Sequence, residues 1–249
     1  MNTSDQIDST GKTVLILGAN SDVAKEAISL YHAQGYFVIA ASRNVEALQH
    51  FLQQHNLTQE EVLVQYFDAA AFDQHKTFYT SLPVKPNVVV YAAGYLKDNQ
   101  HALINWEGSY QMMTVNYCGA VSILNIIASD TENKGLQRII GLSSLSGVRG
   151  RKSNFIYGST KAAFTQYLAG LRQHLFSRNI IVNVIVAGYV RTKMNAGLNL
   201  EESLMLEASF VARAVVEPVN RFIIVPGFKW KIIYTILTLL PEKLVAKLP

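Results

Sequence analysis

Short runs of aliphatic and β-branched residues recur along this chain, each followed by a longer stretch whose apolar positions return every three or four residues. Seven runs stand out: TVLILG from Thr13, YFVIAAS from Tyr36, VLVQYFD from Val62, NVVVYAAG from Asn87, LQRIIGLSS from Leu136, IIVNVIVAG from Ile180 and RFIIVPG from Arg221. The helical pattern covers 22–34, 45–54, 70–81, 105–128, 155–177 and 202–216. Strands that read as continuous apolar runs are buried on both faces. The alternation therefore predicts an α/β fold: one doubly wound, seven-stranded parallel sheet with helices on both faces. No linker, repeat or low-complexity stretch interrupts 12–227, which is expected to be a single domain. A disordered polar segment, 1–11, is expected before it and an amphipathic helical tail, 228–249, after it.

Composition narrows the class. A chain of 249 residues, 49% of them apolar, can bury a core of ordinary size. Cys118 is the only cysteine, which excludes a disulfide framework, fits a reducing compartment, and reads as a small buried packing residue. The six histidines lack zinc-ligand spacing, so no metal is expected. The amino terminus has neither the charged nor the apolar region of a signal peptide, and no run of eighteen apolar residues predicts a spanning helix. Five of the 22 basic residues and one of the 18 acidic ones fall in 221–249, so the rest of the chain is balanced and the excess positive charge sits in the tail. A balanced core without a basic stripe gives no support to nucleic-acid binding.

The first strand runs directly into a turn, Gly18, Ala19, Asn20, Ser21, Asp22, Val23, and then a helix. That context suits a dinucleotide, whose pyrophosphate faces backbone amides and a helix amino terminus. Only Gly18 keeps glycine in the expected spacing, although Ala24 still permits close helix packing. A carboxylate at Asp22 would repel a diphosphate unless it turned inward as a helix cap. After the second strand, Ser42 takes the place of an acid that would bind ribose hydroxyls, and Arg43 follows with a guanidinium able to fork onto a 2′-phosphate. That pair points to NADP(H) as cofactor, the alternative for Arg43 being a solvated surface charge. Asp68 ends the third strand, placed to accept from an adenine amino group or to cap the next turn. Ala92, Ala93 and Gly94 end the fourth, where small residues let a cofactor lie against backbone.

Tyr157 and Lys161 are four residues apart and share one helix face. Such pairs are usually surface neighbours. Here, though, they follow strand-end serines and a nucleotide turn in order, and a nearby ammonium would favour the phenolate and bring a tyrosine toward a useful range. Ser144, ending the fifth strand, would reach the same carbonyl oxygen.

With GANSDVA, ASRN, FD, AAG, MTVNYCG, SSLSG, YGSTK and AGYVRT in sequence order, the chain resembles the short-chain dehydrogenase/reductase family from Lys12 to Gly227. The resemblance implies a Rossmann-type fold and an NADP(H)-dependent carbonyl reductase. It makes Tyr157 the general acid/base, Lys161 the nicotinamide-ribose ligand that lowers the tyrosine pKa, and Ser144 the group polarising the substrate carbonyl. Asn116 would hold a proton-relaying water. Thr192 would bond the carboxamide with help from Val190, and Gly188 would close the cofactor site. A homodimer or homotetramer in the cytoplasm is implied as well. The chain departs from the family at Asp22, Ala24, Ala92 and Ala187, where glycine, glycine, asparagine and proline are usual; these touch loop geometry, not proton chemistry.

A lid is expected over about 189–210, made apolar by Met194, Leu198, Leu200, Leu204, Met205 and Leu206. Arg149, Arg151 and Lys152, between Ser144 and Tyr157, are placed either to meet a substrate phosphate or to form a solvated basic loop. The tail, with Trp230 and Tyr234 among Ile and Leu and lysines at both ends, fits an interfacial helix on an anionic membrane or a helix in a subunit interface. A basic, aromatic tail after VPGFKW, together with Asp22, is similar to the reductases of polyprenyl-phosphate keto-sugars, which implies a lipid-linked substrate and a peripheral position on the cytoplasmic face of the membrane. The other readings are a soluble 3-oxoacyl or small-ketone reductase and, outside enzymes, an NADPH-binding sensor or scaffold.

Overall fold

The computed structural model describes residues 11–58, 61–198 and 200–247. The expected disorder of 1–11 lies outside them except at residue 11. The strands are β1 Thr13–Leu17, β2 Phe37–Ser42, β3 Val62–Tyr66, β4 Val88–Tyr91, β5 Arg138–Ser144, β6 Ile181–Ala187, β7 Val190–Arg191, β8 Leu206–Glu207 and β9 Ile223–Ile224. Seven of them form one parallel sheet in the order β3-β2-β1-β4-β5-β6-β9. The helices are α1 Asp22–Ala33, α2 Val45–Gln54, α3 His75–Thr80, α4 Asn99–Ile104, α5 Trp106–Met113, α6 Gly119–Ser129, α7 Phe155–His174, α8 Ala208–Val216, α9 Phe228–Leu239 and α10 Glu242–Val245.

The continuous apolar runs are explained by the two cores. In β1, Leu15 and Leu17 pack with Ile123, Phe164 and Trp230 on one face, while Val14 and Ile16 pack with Ala27, Tyr31 and Val215 on the other. Strand order reverses between β1 and β4, whose ends lie level at Leu17 and Tyr91. The crevice where a doubly wound sheet takes its ligands therefore opens beyond Gly18 and Ala92. At the opposite edge, buried Arg138 donates to Asn183 Oδ1 at 2.5 Å and to the Val216 carbonyl at 3.3 Å. Asn183 in turn holds the carbonyls of Val219 and Arg221, fixing the link from α8 to β9.

Four local expectations are corrected. The helix expected over 105–128 is interrupted by a π-helical turn, Thr114–Cys118, and its freed Val115 carbonyl takes the Tyr91 hydroxyl at 2.6 Å. That turn directs Asn116 inward and leaves Cys118 exposed, not buried. The helix expected over 202–216 starts only at Ala208, because Leu206 pairs with Val190 in a small parallel ribbon and the Ser203 and Leu204 carbonyls accept from Lys229 and Trp230. The helix expected from residue 70 starts regularly only at His75, since Asp68 Oδ1 accepts from Ala70 N and forms a turn first. The continuous helical stretch Trp106–Ser129 is the one helix among the described residues long and apolar enough to cross a membrane; 56% of its most apolar window is buried inside the fold.

The tail is docked rather than free. Trp230, Leu237 and Val245 are buried, Tyr189 meets Trp230 edge-on at 5.0 Å, and Arg149 caps the end of α9 through the Leu237 and Thr238 carbonyls. Only its outer face is exposed.

Candidate active site

A cavity of about 670 Å³ opens at the carboxyl ends of the strands. At its start, Gly18 has φ +84°, and a Cβ there would lie 2.3 Å from Ala93 N, so only glycine lets β1's turn and β4's end touch. Asn20 crosses to β2's end, donating to Ser42 Oγ at 2.7 Å and the Asn44 carbonyl at 2.6 Å. Its Oδ1 is buried without a hydrogen-bond partner among the described residues. Arg43 is exposed at the same end, with no acidic neighbour bridging it among the described residues.

Asp22 does not cap its helix. Ser21 occupies the cap position, and Asp22 Oδ2 instead accepts from Lys193 N at 2.7 Å, 171 residues away, tying the turn to the segment after β7. The carboxylate thus spends an oxygen on a distant backbone amide, not on the amides of α1, while the residue still lines the cavity.

Asp68 serves as the turn cap that was one of its two readings, while still lining the cavity. Its carbonyl accepts from His75 Nε2 at 2.9 Å, and His75 Nδ1 meets Ser122 Oγ at 2.9 Å. A carbonyl only accepts, so Nε2 carries the proton and Ser122 donates to Nδ1. Burial holds His75 below its ordinary value of 6.5. The fold requires the neutral ring, whereas the unfolded chain protonates below about 6.5. Stability is therefore lost as pH falls through that value, and His75→Gln is expected to flatten the acid limb of a pH series of urea unfolding midpoints. An unchanged acid limb would remove this role.

At the other end, β5 delivers Ser144, and α7, starting at Phe155, brings Tyr157 and Lys161 onto its inner face. Ser144 Oγ accepts from Ser146 N at 3.2 Å, and its hydroxyl favours the charged form of the Tyr157 phenol. Lys161 is buried, donates to the Leu142 carbonyl at 3.0 Å, and sits 5.8 Å from the Tyr157 ring centre. Burial pushes the phenol up to about 12, against a smaller pull from Ser144, and burial brings Lys161 down to about 8. The lowering of Tyr157 expected from the ammonium is absent in the chain alone, because the amine is turned to Leu142 and desolvation dominates.

Asn116 lies behind this group. Its Oδ1 accepts from Tyr95 N at 2.7 Å, and its Nδ2 donates to the Tyr95 carbonyl at 2.9 Å and to Thr160 Oγ1 at 3.0 Å. A methyl group placed on Gly94 would lie 3.6 Å from Asn116 Oδ1 and 3.7 Å from Lys161 Nζ, so all three converge. The side chain is fully engaged by the protein and does not itself line the cavity. Every other residue singled out for the site does: Gly18, Asn20, Ser21, Asp22, Val23, Ser42, Arg43, Asp68, Ala92, Ala93, Gly94, Ser144, Tyr157, Lys161, Gly188, Val190 and Thr192. A Cβ on Gly188 would lie 2.0 Å from Trp230 Cε2, so the tail's tryptophan forms the back of the wall there.

The sequence reading missed Lys97, Asn99, Ser146 and Asn154, which complete the lining beside Tyr157. Only Asn154, a helix-start asparagine three residues before Tyr157, carried a local signal. Arg149 and Lys152 are not part of the cavity; Arg151 is.

Comparison with known proteins places this geometry. An uncharacterized oxidoreductase of Staphylococcus epidermidis is 27% identical over 205 residues, spanning 82% of this chain and 89% of that protein. One of Staphylococcus aureus is 27% identical over 217 residues, spanning 83% and 90%. ElxO with NADP bound shares the fold at a TM-score of 0.78 and 18% identity, covering 88% of this chain and 98% of that one. BdcA in complex with NADPH does so at 0.73 and 19%, covering 87% and 93%. The family model described as short chain dehydrogenase matches residues 12–203. The chain therefore belongs to the short chain dehydrogenase family of oxidoreductases.

Proposed function

We infer that the protein is an NADPH-dependent carbonyl reductase. The observation that carries this reading is that Ser144, Tyr157 and Lys161 converge on the same cavity that the Gly18 turn and Arg43 open from the other end. The cavity fits a nicotinamide dinucleotide: Gly18 leaves room for backbone to approach, buried Asn20 Oδ1 lacks a partner, and the charge at β2's end is a guanidinium rather than a carboxylate. ElxO and BdcA were solved with NADP and NADPH. When bound, the cofactor would supply the hydride.

The chain's own residues handle the proton and the oxygen. Tyr157, kept a neutral phenol by burial, donates its proton to the carbonyl oxygen, and Ser144 donates a hydrogen bond to the same atom. Lys161 supplies positive charge beneath them. Asn116 acts by holding the Tyr95 backbone and Thr160 in register; a relayed water would have to use its backbone, since its amide is engaged. Thr192 and Val190 would face the carboxamide. Arg43→Ala is expected to weaken NADPH about ten- to hundredfold, the loss of a charge-assisted phosphate contact, while NADH affinity stays put. Fluorescence titration with both nucleotides reads this, and equal loss for both would dismiss the phosphate role.

The substrate reading we favour is a lipid-linked keto-sugar or similar amphiphile, met at the cytoplasmic face of the membrane. Phe228, Ile232, Ile236 and Leu239 form a stripe along α9 with exposures of 78, 46, 51 and 77%. Lys229, Lys231, Lys243 and Lys247 flank it against one acid, Glu242. The lid is bolted to the same helix through Lys229 and Trp230. Flotation with phosphatidylglycerol vesicles is expected to carry the wild type up and to leave Ile232→Glu/Ile236→Glu at the bottom; wild type that stays down returns the soluble-reductase reading. A second apolar patch, Leu103, Ile104, Trp106 and Tyr110, is exposed on α4 and α5 and supports pairing with another copy, as a homodimer or homotetramer.

A further inference from the structure

We propose that the carbonyl substrate carries an anionic group, a phosphate or a carboxylate, and that Lys97 and Arg151 bind it beside Tyr157. This rests on the reductase reading of the site and adds the substrate's charge. Lys97 lies in the loop after β4 and Arg151 in the loop before α7, and both line the cavity. Buried Asn99 stitches the two loops together: its Nδ2 donates to the Lys152 carbonyl at 3.4 Å, and its Oδ1 accepts from Ile156 N at 3.2 Å. The two cations thus stand on either side of one seam, two residues and one residue from its ends.

Neither cation has other work. Among the described residues no carboxylate pairs with Lys97 or Arg151, and neither head group donates to a carbonyl. Both are only partly exposed. The Lys97 stem is laid over Gly108, where a methyl group would come within 3.3 Å of its Cγ, so the chain is not free to swing into solvent on that side. The neighbouring basic residues show the contrast. Arg149 is committed to the end of α9, and Lys152 is exposed and contributes its carbonyl to Asn99. The one acid lining this end, Asp98, accepts from His101 N at 2.9 Å as the cap of α4. Cations on a cavity wall that no protein group engages are available to an anion that enters it. Lys161, buried deeper, adds positive charge, and the same lining includes amides, hydroxyls and the apolar Leu96, Met194 and Leu198. An amphiphile with an anionic headgroup next to its carbonyl meets both halves of that surface.

Calorimetry on the NADP⁺-saturated protein tests this with three ketones of one shape: para-acetylphenyl phosphate, para-acetylbenzoate and para-methoxyacetophenone. At low salt at least one anionic ketone is expected to bind about ten- to hundredfold more tightly than the neutral one. The two anionic arms tell phosphate from carboxylate. The preference should vanish in Lys97→Gln/Arg151→Gln, with NADPH affinity measured in the same protein to show that it is folded. Three ketones binding alike, or a preference that survives in the double variant, overturns the proposal. NADPH oxidation with each ketone separates the two readings. A protein that prefers the anion but reduces none of them keeps the subsite and loses the reductase. One that reduces the neutral ketone without preference does the opposite.

Discussion

Tyr157→Phe is expected to lower ketone turnover by about 10²–10⁴-fold, the usual contribution of a positioned proton donor, while NADPH affinity is retained. The substitution removes one oxygen and keeps the ring. Lys161 keeps its bond to the Leu142 carbonyl, and Ser144 keeps its acceptor contact with Ser146 N, so the surroundings have no reason to rearrange. Single-turnover oxidation of bound NADPH isolates the chemical step, and a variant that still turns over within a factor of a few would exclude Tyr157 as the donor. The pH profile adds a second signature. With the phenol held up at about 12, Tyr157 keeps its proton throughout the ordinary range. Lys161 is lowered to about 8, so its positive charge is complete well below that pH and lost above it. The reductive rate should therefore decline above about pH 8, and the residue responsible is the lysine. A decline placed near 10 would mean that the bound state restores the lysine to its ordinary value.

Trp230→Ala is expected to destabilise the protein by about 3–5 kcal/mol, the cost of emptying a buried aromatic site. The ring is 4% exposed, packs edge-on to Tyr189, and donates from Nε1 to the Leu204 carbonyl at 2.8 Å. It also fills the space above Gly188, where any side chain would collide with it. Gly188→Ala should consequently be severe alone and milder when combined with Trp230→Ala, a coupling that urea unfolding of the four proteins measures directly. A loss below about 1 kcal/mol for Trp230→Ala, or simple additivity of the pair, would show that the tail is an appendage instead of a wall of the site.

Much of the fold was legible because burial on both faces of a parallel sheet writes itself as unbroken apolar runs, and all seven runs are strands of that sheet. The cavity lining was legible where chemistry demands particular residues at strand ends: Gly18, Arg43, Ser144, and the Tyr157 and Lys161 pair. What escaped depends on partners distant in sequence. A helix cap is the local reading of Asp22, whereas the amide that donates to its carboxylate belongs to Lys193. The π turn at Asn116 has no signature in the hydrophobic pattern, so the sequence places Cys118 on the buried side whereas it is exposed. The pattern over 202–216 overextends the helix that starts at Ala208, because pairing of Leu206 with Val190 competes with helix formation through contacts no window of sequence contains. Helix α4, with six residues, is too short to display a period at all. Lys97 has no motif; only the Asn99 stitch brings its loop to Arg151.

The bond from Asp22 to Lys193 also bears on how the protein is made. A ribosome releases the glycine turn early, with β1 and β2, but the amide that occupies the Asp22 carboxylate emerges 171 residues later, and Trp230, which backs Gly188, later still. Until then the Asp22 carboxylate lacks the amide it binds in the folded protein. The turn and the segment after β7 can be joined only once residue 193 has left the exit tunnel, so this contact forms late in the folding of a growing chain.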